Sequence, residues 1–196
     1  MKLQVRLLVA CAAAALGGAA YAQNTQDVIQ RDANQQQRIE QGLQSGQLTT
    51  KEAGKLEREE SHIEKMESSA ARDGKMTNAE RQRIERAEDK ASADIYRDKH
   101  NGKMGDPNSV SSQRMQADVQ RNINQQERIE KGIQNGSLTN REVSGLERGQ
   151  AHVDRKEANA ARNGHIGARE QEHIQAAENR QSRHIHHDKH NDRVRQ

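Results

Sequence analysis

The chain has 196 residues with 32 basic and 29 acidic side chains, one cysteine, one proline, two tyrosines, and neither tryptophan nor phenylalanine. A net charge of +3 spread over so many charges gives no basic face for generic nucleic-acid binding, and so few aromatic rings exclude a stacking platform for single-stranded bases. A lone cysteine excludes a disulfide framework and any cysteine-built metal or redox site, which leaves polar chemistry to His, Asp, Glu, Lys and Arg.

At the N-terminus, Lys2 and Arg6 precede the apolar run Leu7 to Ala20, which ends in Ala20-Tyr21-Ala22. That order predicts a secretory signal peptide over residues 1–22, cut before Gln23, and hence a periplasmic protein. The run is shorter than the roughly 20 residues of a spanning helix, so no membrane insertion is expected after cleavage. A lipoprotein box ending at Cys11 is the weaker alternative, because only four apolar residues precede that cysteine and a longer run follows it. Without residues 1–22 the charges are 30 basic against 29 acidic, a net of +1. Leu, Ile and Val then number only 22 in 174 residues. That is below the level of about 20% where disorder becomes a candidate, yet the balanced charge and the wealth of Ala, Gln, Glu, Lys and Arg favour helix.

The segment Asn34 to Asn101 recurs without a gap 90 positions later, as Asn124 to Asn191, with 31 of 68 residues identical. We read this as a tandem duplication. Within each copy a weaker 28-residue unit repeats, so that a glycine, an aliphatic two residues on and a glutamate four residues further occur four times. Thr49, Thr77 and Thr139 stand three residues before Glu52, Glu80 and Glu142, which is the capping-box pattern of a new helix. Gly46, Gly74, Gly136 and Gly164 suit the left-handed position that ends the preceding helix.

These signals predict an all-α fold with three amphipathic helices per copy: 26–44, 50–72 and 78–99, then 116–134, 140–162 and 168–190. The domain reading is a first helical repeat over 23–102, a linker over 103–112 around Pro107, and a second repeat over 113–196 with a histidine-rich final helix. The apolar stripes are narrow: Ala53, Leu56, Ile63, Met66 and Ala70 in one helix, Ile84, Ala87, Ala91 and Ile95 in the next. Thinly cored hairpins of this kind are expected to gain order from pairing, self-association or binding a ligand or protein partner.

Two constellations offer metal ligands. His184, His186, His187 and His190 fall within seven residues of the last helix, next to Asp188. Helical spacing puts the His186/His190 and His184/His187 pairs where two imidazoles reach one ion, and zinc, nickel or copper suits such a set. The counterparts in the first copy are Asp94, Tyr96, Arg97 and His100, so the cluster belongs to one copy only. The second constellation is EF-hand-like. The loop Ser69 to Glu80 supplies Asp73, Thr77 and Glu80, but Ser69 and Ala71 stand where the first and third oxygen ligands belong. A cap-to-cap turn explains the same residues, and calcium is not expected there. No nucleophile–base pair, phosphate loop or HExxH motif is present, so the protein is read as a non-enzyme.

The blocks NQQQRIEQGLQSGQLTTKE and NQQERIEKGIQNGSLTNRE resemble a group of small exported α-helical repeat proteins of Gram-negative bacteria, a resemblance that implies location and fold rather than activity. More loosely, LTTKE and LTNRE are similar to the LTxxQ boxes of periplasmic stress proteins of the CpxP and Spy type. Leu48, Thr49, Leu138 and Thr139 match, and Glu52 and Glu142 stand in place of Gln. The resulting expectation is a periplasmic binding protein that buffers or senses divalent metal through its histidine cluster. An envelope-stress chaperone or scaffold module that docks on protein partners is the alternative, with a degenerate EF-hand-like calcium binder behind it.

Overall fold

The computed structural model describes residues 13–193, with side chains from Thr25 onward. Residues 1–12, with Cys11, and the side chains of residues 13–24 lie outside the described part, and the expected signal peptide falls there. The chain forms α1 (Ala13–Gln44), α2 (Thr50–Ala71), α3 (Asn78–Lys99), α4 (Val110–Gln134), α5 (Asn140–Ala160) and α6 (Ala168–Lys189), with a 3₁₀ turn over Ala161–Asn163 between the last two. No strand occurs among the described residues, and none of the described helices is long and apolar enough to cross a membrane.

Local chemistry sets the helix starts. Each of Thr49, Thr77 and Thr139 has extended backbone and accepts a hydrogen bond from the amide three residues on, while Glu52, Glu80 and Glu142 accept one from the cap amide in return. Gly167 lacks the hydroxyl, but Glu170 Oε2 still accepts from its amide at 2.7 Å. Gly46 and Gly136 end α1 and α4 with φ of 73° and 74°, where a side chain would be strained. Three boundaries differ from expectation by more than a residue, one of them the end of α5, which stops at Ala160 rather than 162 where the 3₁₀ turn begins. The α1 helix begins well upstream of residue 26, and α4 begins at Val110 rather than 116, because Ser109 Oγ caps the amide of Ser112. That cap shortens the connection around Pro107 and takes residues 110–112 out of the expected linker.

Most of the apolar stripes do not close within one 68-residue segment. The broadest packing is α2 on α5 and α1 on α4, with α3 outside α2 and α6 outside α5. Both central pairs are antiparallel: Ser61 lies opposite Ala151 and Ser68 opposite Ser144, while Leu43 clusters with Met115 and Ile29 with Ile129 and Ile133. One apolar cluster joins Ile39, Leu43, Leu48 and Leu56 to Met115 and Val119; another joins Ile129, Ile133, Leu138 and Leu146 to Ile29. Each draws on both 68-residue segments. The few large aliphatic side chains are therefore gathered into these two patches, each spanning both sides of the Pro107 connection, and a third patch, Val28, Ile63, Ile84 and Ala91, between α1, α2 and α3.

Candidate metal centre

Between those patches the interior is acidic. On α2, Glu57, Glu60, Glu64 and Glu67 follow one another at intervals of three, four and three residues, the spacing of a helix seam that normally carries leucines. Glu147, Gln150, Asp154 and Glu157 repeat that spacing on α5. Because α2 and α5 cross antiparallel, the two seams face each other. Helix α1 adds Asp32, Gln35 and Gln36, α4 adds Asp118, Asn122, Gln125 and Gln126, and α3 and α6 reach in with Glu88 and Glu178. All of these side chains are buried.

No lysine, arginine or histidine is buried among the described residues. Cations touch the acidic layer only from its rim, where half-exposed Arg31 pairs with Glu88 at 2.9 Å and Arg121 with Glu178 at 3.0 Å. Within the layer the donors are amides: Gln36 to Glu57 at 2.9 Å, Gln126 to Glu64 at 2.9 Å, and Asn122 to Glu157 at 2.9 Å and to Asp154 at 3.3 Å. No nitrogen or hydroxyl donor reaches either oxygen of Asp32, Glu60 or Glu67, and neither polar atom of Gln150 has a partner. A buried polar group left in that state costs on the order of 1–3 kcal/mol, and an ionised one more.

Burial, and then the repulsion of neighbouring carboxylates, drives Asp32, Glu60, Glu64, Glu67, Asp154 and Glu157 well above the usual carboxylate range. Burial pushes Glu57 and Glu147 up to about 8 against the amides that hydrogen-bond them. Glu178 lies at about 8 and Glu88 at about 7, also through burial, each tempered by its arginine. Such an assembly holds together by binding protons or by binding cations.

Two subsets have the geometry for a cation. Asp32, Glu67 and Glu147 form one triad and Glu57, Asp154 and Glu157 the other; in each, one ligand oxygen per residue lies within 4.8 Å of the others. An all-oxygen, all-carboxylate set suits hard ions such as calcium or manganese and lacks the imidazoles that zinc, nickel or copper favour.

The sequence-expected ligands sit elsewhere. His184, His186, His187 and His190 are exposed on α6, and they are not among the described groups that bring three ligand atoms within 4.8 Å of one another. The rings of His186 and His190 stack, with centroids 4.3 Å apart, and His190 Nδ1 hydrogen-bonds the carbonyl of His186 at 2.7 Å. Tyr96 and His100 make the same stack at 4.2 Å at the end of α3, so the arrangement serves the helix end and needs no second imidazole. Asp188 is raised by burial and by Glu142. In the EF-hand-like loop, Asp73 accepts from the Lys75 amide at 3.1 Å, and Thr77 and Glu80 are engaged with each other in the capping box. The expected ligands of that loop are consumed by the turn itself.

The acidic layer is what reading one helix at a time misses. Its signal was present: the 3-4-3 acidic spacing at 57, 60, 64 and 67, with Glu57, Glu67 and Glu88 unchanged at 147, 157 and 178. The Leu56, Ile63, Ile84 and Ile95 stripes that a chaperone reading would present to clients are buried. Comparison with protein-family profiles, curated proteins and solved structures gives no match for this chain.

Proposed function

We propose that this is a non-enzymatic cation-binding protein that buffers or senses hard multivalent ions, calcium or manganese in class, at two buried carboxylate triads. One observation carries the reading: Asp32 and Glu67, buried beside Glu147, have no nitrogen or hydroxyl donor on any of their carboxylate oxygens and no buried cationic side chain to balance them. A bound cation would supply the missing countercharge and link α1, α2 and α5, adding the ordering free energy that a thin apolar core lacks. The proposed ion differs from the zinc, nickel or copper expected from the histidines because the donor set is oxygen alone. The periplasmic location attached to this reading rests on the leader-like residues 1–22 alone.

The test is calorimetry and thermal unfolding of tag-free, chelator-treated protein with calcium, manganese, zinc and nickel. Calcium or manganese is expected to raise the unfolding temperature, and to do so equally in a variant with His184, His186, His187 and His190 all changed to Ala. An ion present at about 100 times its Kd should add about 2.7 kcal/mol. Binding no tighter than about 100 μM for every ion would overturn the proposal, and so would loss of all binding in the four-histidine variant.

A further inference from the structure

The two triads are near-images of one another. Moving 90 positions along the chain carries Glu67 onto Glu157 and Asp32 onto Asn122, and moving back by the same step carries Glu147 onto Glu57. One glutamate of each site thus comes from α2 and one from α5; the third ligand of the first site is Asp32 on α1, and the position equivalent to Asp32 lies on α4. At that third position the sites part: Asp32 corresponds to Asn122. Asp154 fills out the second triad, and its counterpart Glu64 lies beside the first.

The difference changes what each site holds before any ion arrives. In the second site the Asn122 amide donates to both oxygens of Glu157, at 2.9 and 3.2 Å, and to Asp154 at 3.3 Å. Its own carbonyl oxygen, also buried, is left without a partner. Those acids are already partly compensated, and an ion entering there must displace the amide hydrogens or turn the amide over. In the first site Asp32 has no amide to offer Glu67, no nitrogen or hydroxyl donor reaches either group, and the only hydrogen between them is a carboxyl proton that an entering ion displaces. Glu60, buried near the midpoint of α2 with both oxygens unpartnered, adds a further ionisable carboxyl beside Asp32, whereas its counterpart in the other half is the amide Gln150.

We infer that the two sites are unequal and fill in order, the Asp32–Glu67–Glu147 site first, with Asp32 and Asn122 as the residues that set the ranking. Resting on the function proposed above, this specifies how it works: one tight site and one weaker site give a graded response across ion concentration rather than a single threshold. Ligand charge is the lever that tunes affinity in oxygen-donor sites generally.

Calcium titration of the full chain by calorimetry should resolve two steps. Asp32→Asn should weaken the first step by about tenfold or more and leave the second within about threefold. Asn122→Asp should tighten the second step by a comparable factor. Crystals soaked with substoichiometric manganese provide an independent readout in the unaltered protein, with the anomalous peak expected among Asp32, Glu67 and Glu147. A first peak among Glu57, Asp154 and Glu157, or two steps of equal affinity, would overturn the ranking while leaving cation binding intact. Retention of no ion at all would sink the ranking and the proposed function together.

Discussion

Ser61 Oγ donates to the carbonyl of Ala151 at 2.7 Å, and Ala151 is the residue 90 positions beyond Ser61. Equivalent residues meet at one point of the α2–α5 interface, so the interface is arranged around that point. The contact of Ser68 with Ser144 on one side corresponds to the close approach of Ala158 to Gly54 on the other. Small residues let the two helices approach closely enough for their acidic seams to share one layer.

Gly54 is the most sensitive of these positions. A Cβ there would lie 2.5 Å from Ala161 Cβ and 3.6 Å from Ala158 Cα. Gly54→Val should destabilise the fold by about 1–3 kcal/mol, measured by chemical unfolding. Gly145 is the control: it lies in α5, and a methyl group added there would meet nothing within 4 Å, so Gly145→Ala should stabilise by up to about 1 kcal/mol.

Stability should fall as pH rises when multivalent ions are chelated. Burial raises Glu57, Glu147 and Glu178 to about 8, above the value near 4.3 of an unfolded glutamate, so the folded chain holds protons that the unfolded chain releases. That contribution is complete below about pH 4 and is lost as pH climbs through about 8. Thermal unfolding followed by circular dichroism in chelator should give a lower midpoint at pH 8 than at pH 5, and added calcium should flatten the difference. A midpoint rising over that interval would contradict the acidic-layer account.

Glu60→Leu separates stability from ion binding. Glu60 has no partner on either oxygen and faces Asp32, Glu57 and Asp154, so an aliphatic side chain there removes an uncompensated buried carboxyl at similar volume. The chelated variant should be more stable than the parent by about 1–4 kcal/mol at neutral pH. At about 2–4 °C per kcal/mol for a chain of this size, the shift is readily seen. A less stable chelated variant would mean that Glu60 is held by something other than its acidic neighbours.

The capping boxes predict a local effect of ordinary size. Thr139 accepts from the Glu142 amide, and Glu142 is held below the usual carboxylate range, against its burial, by Thr139, Asn191 and Arg193. Thr139→Ala should cost about 1 kcal/mol of unfolding free energy and leave calcium binding unchanged, because the box lies at the start of α5, outside both triads.

Helix identity and most helix ends were legible in the residues themselves, because a threonine–glutamate box and a left-handed glycine act over three or four positions and need no distant partner. The ends of α2, α3 and α6 fall within a residue of the expected positions for that reason. The start of α4 was missed because Ser109 caps without a glutamate to announce it. The sign of the acidic face could not be had locally. A seam of Glu57, Glu60, Glu64 and Glu67 looks, on one helix, like the side turned to water. Only the antiparallel crossing of α2 on α5, closed by α1 and α4, turns both seams inward. Burial is a property of neighbours distant in the chain, and carboxylates that would be fully hydrated at a surface become, once stripped of water and of countercharge, groups that must be protonated or neutralised.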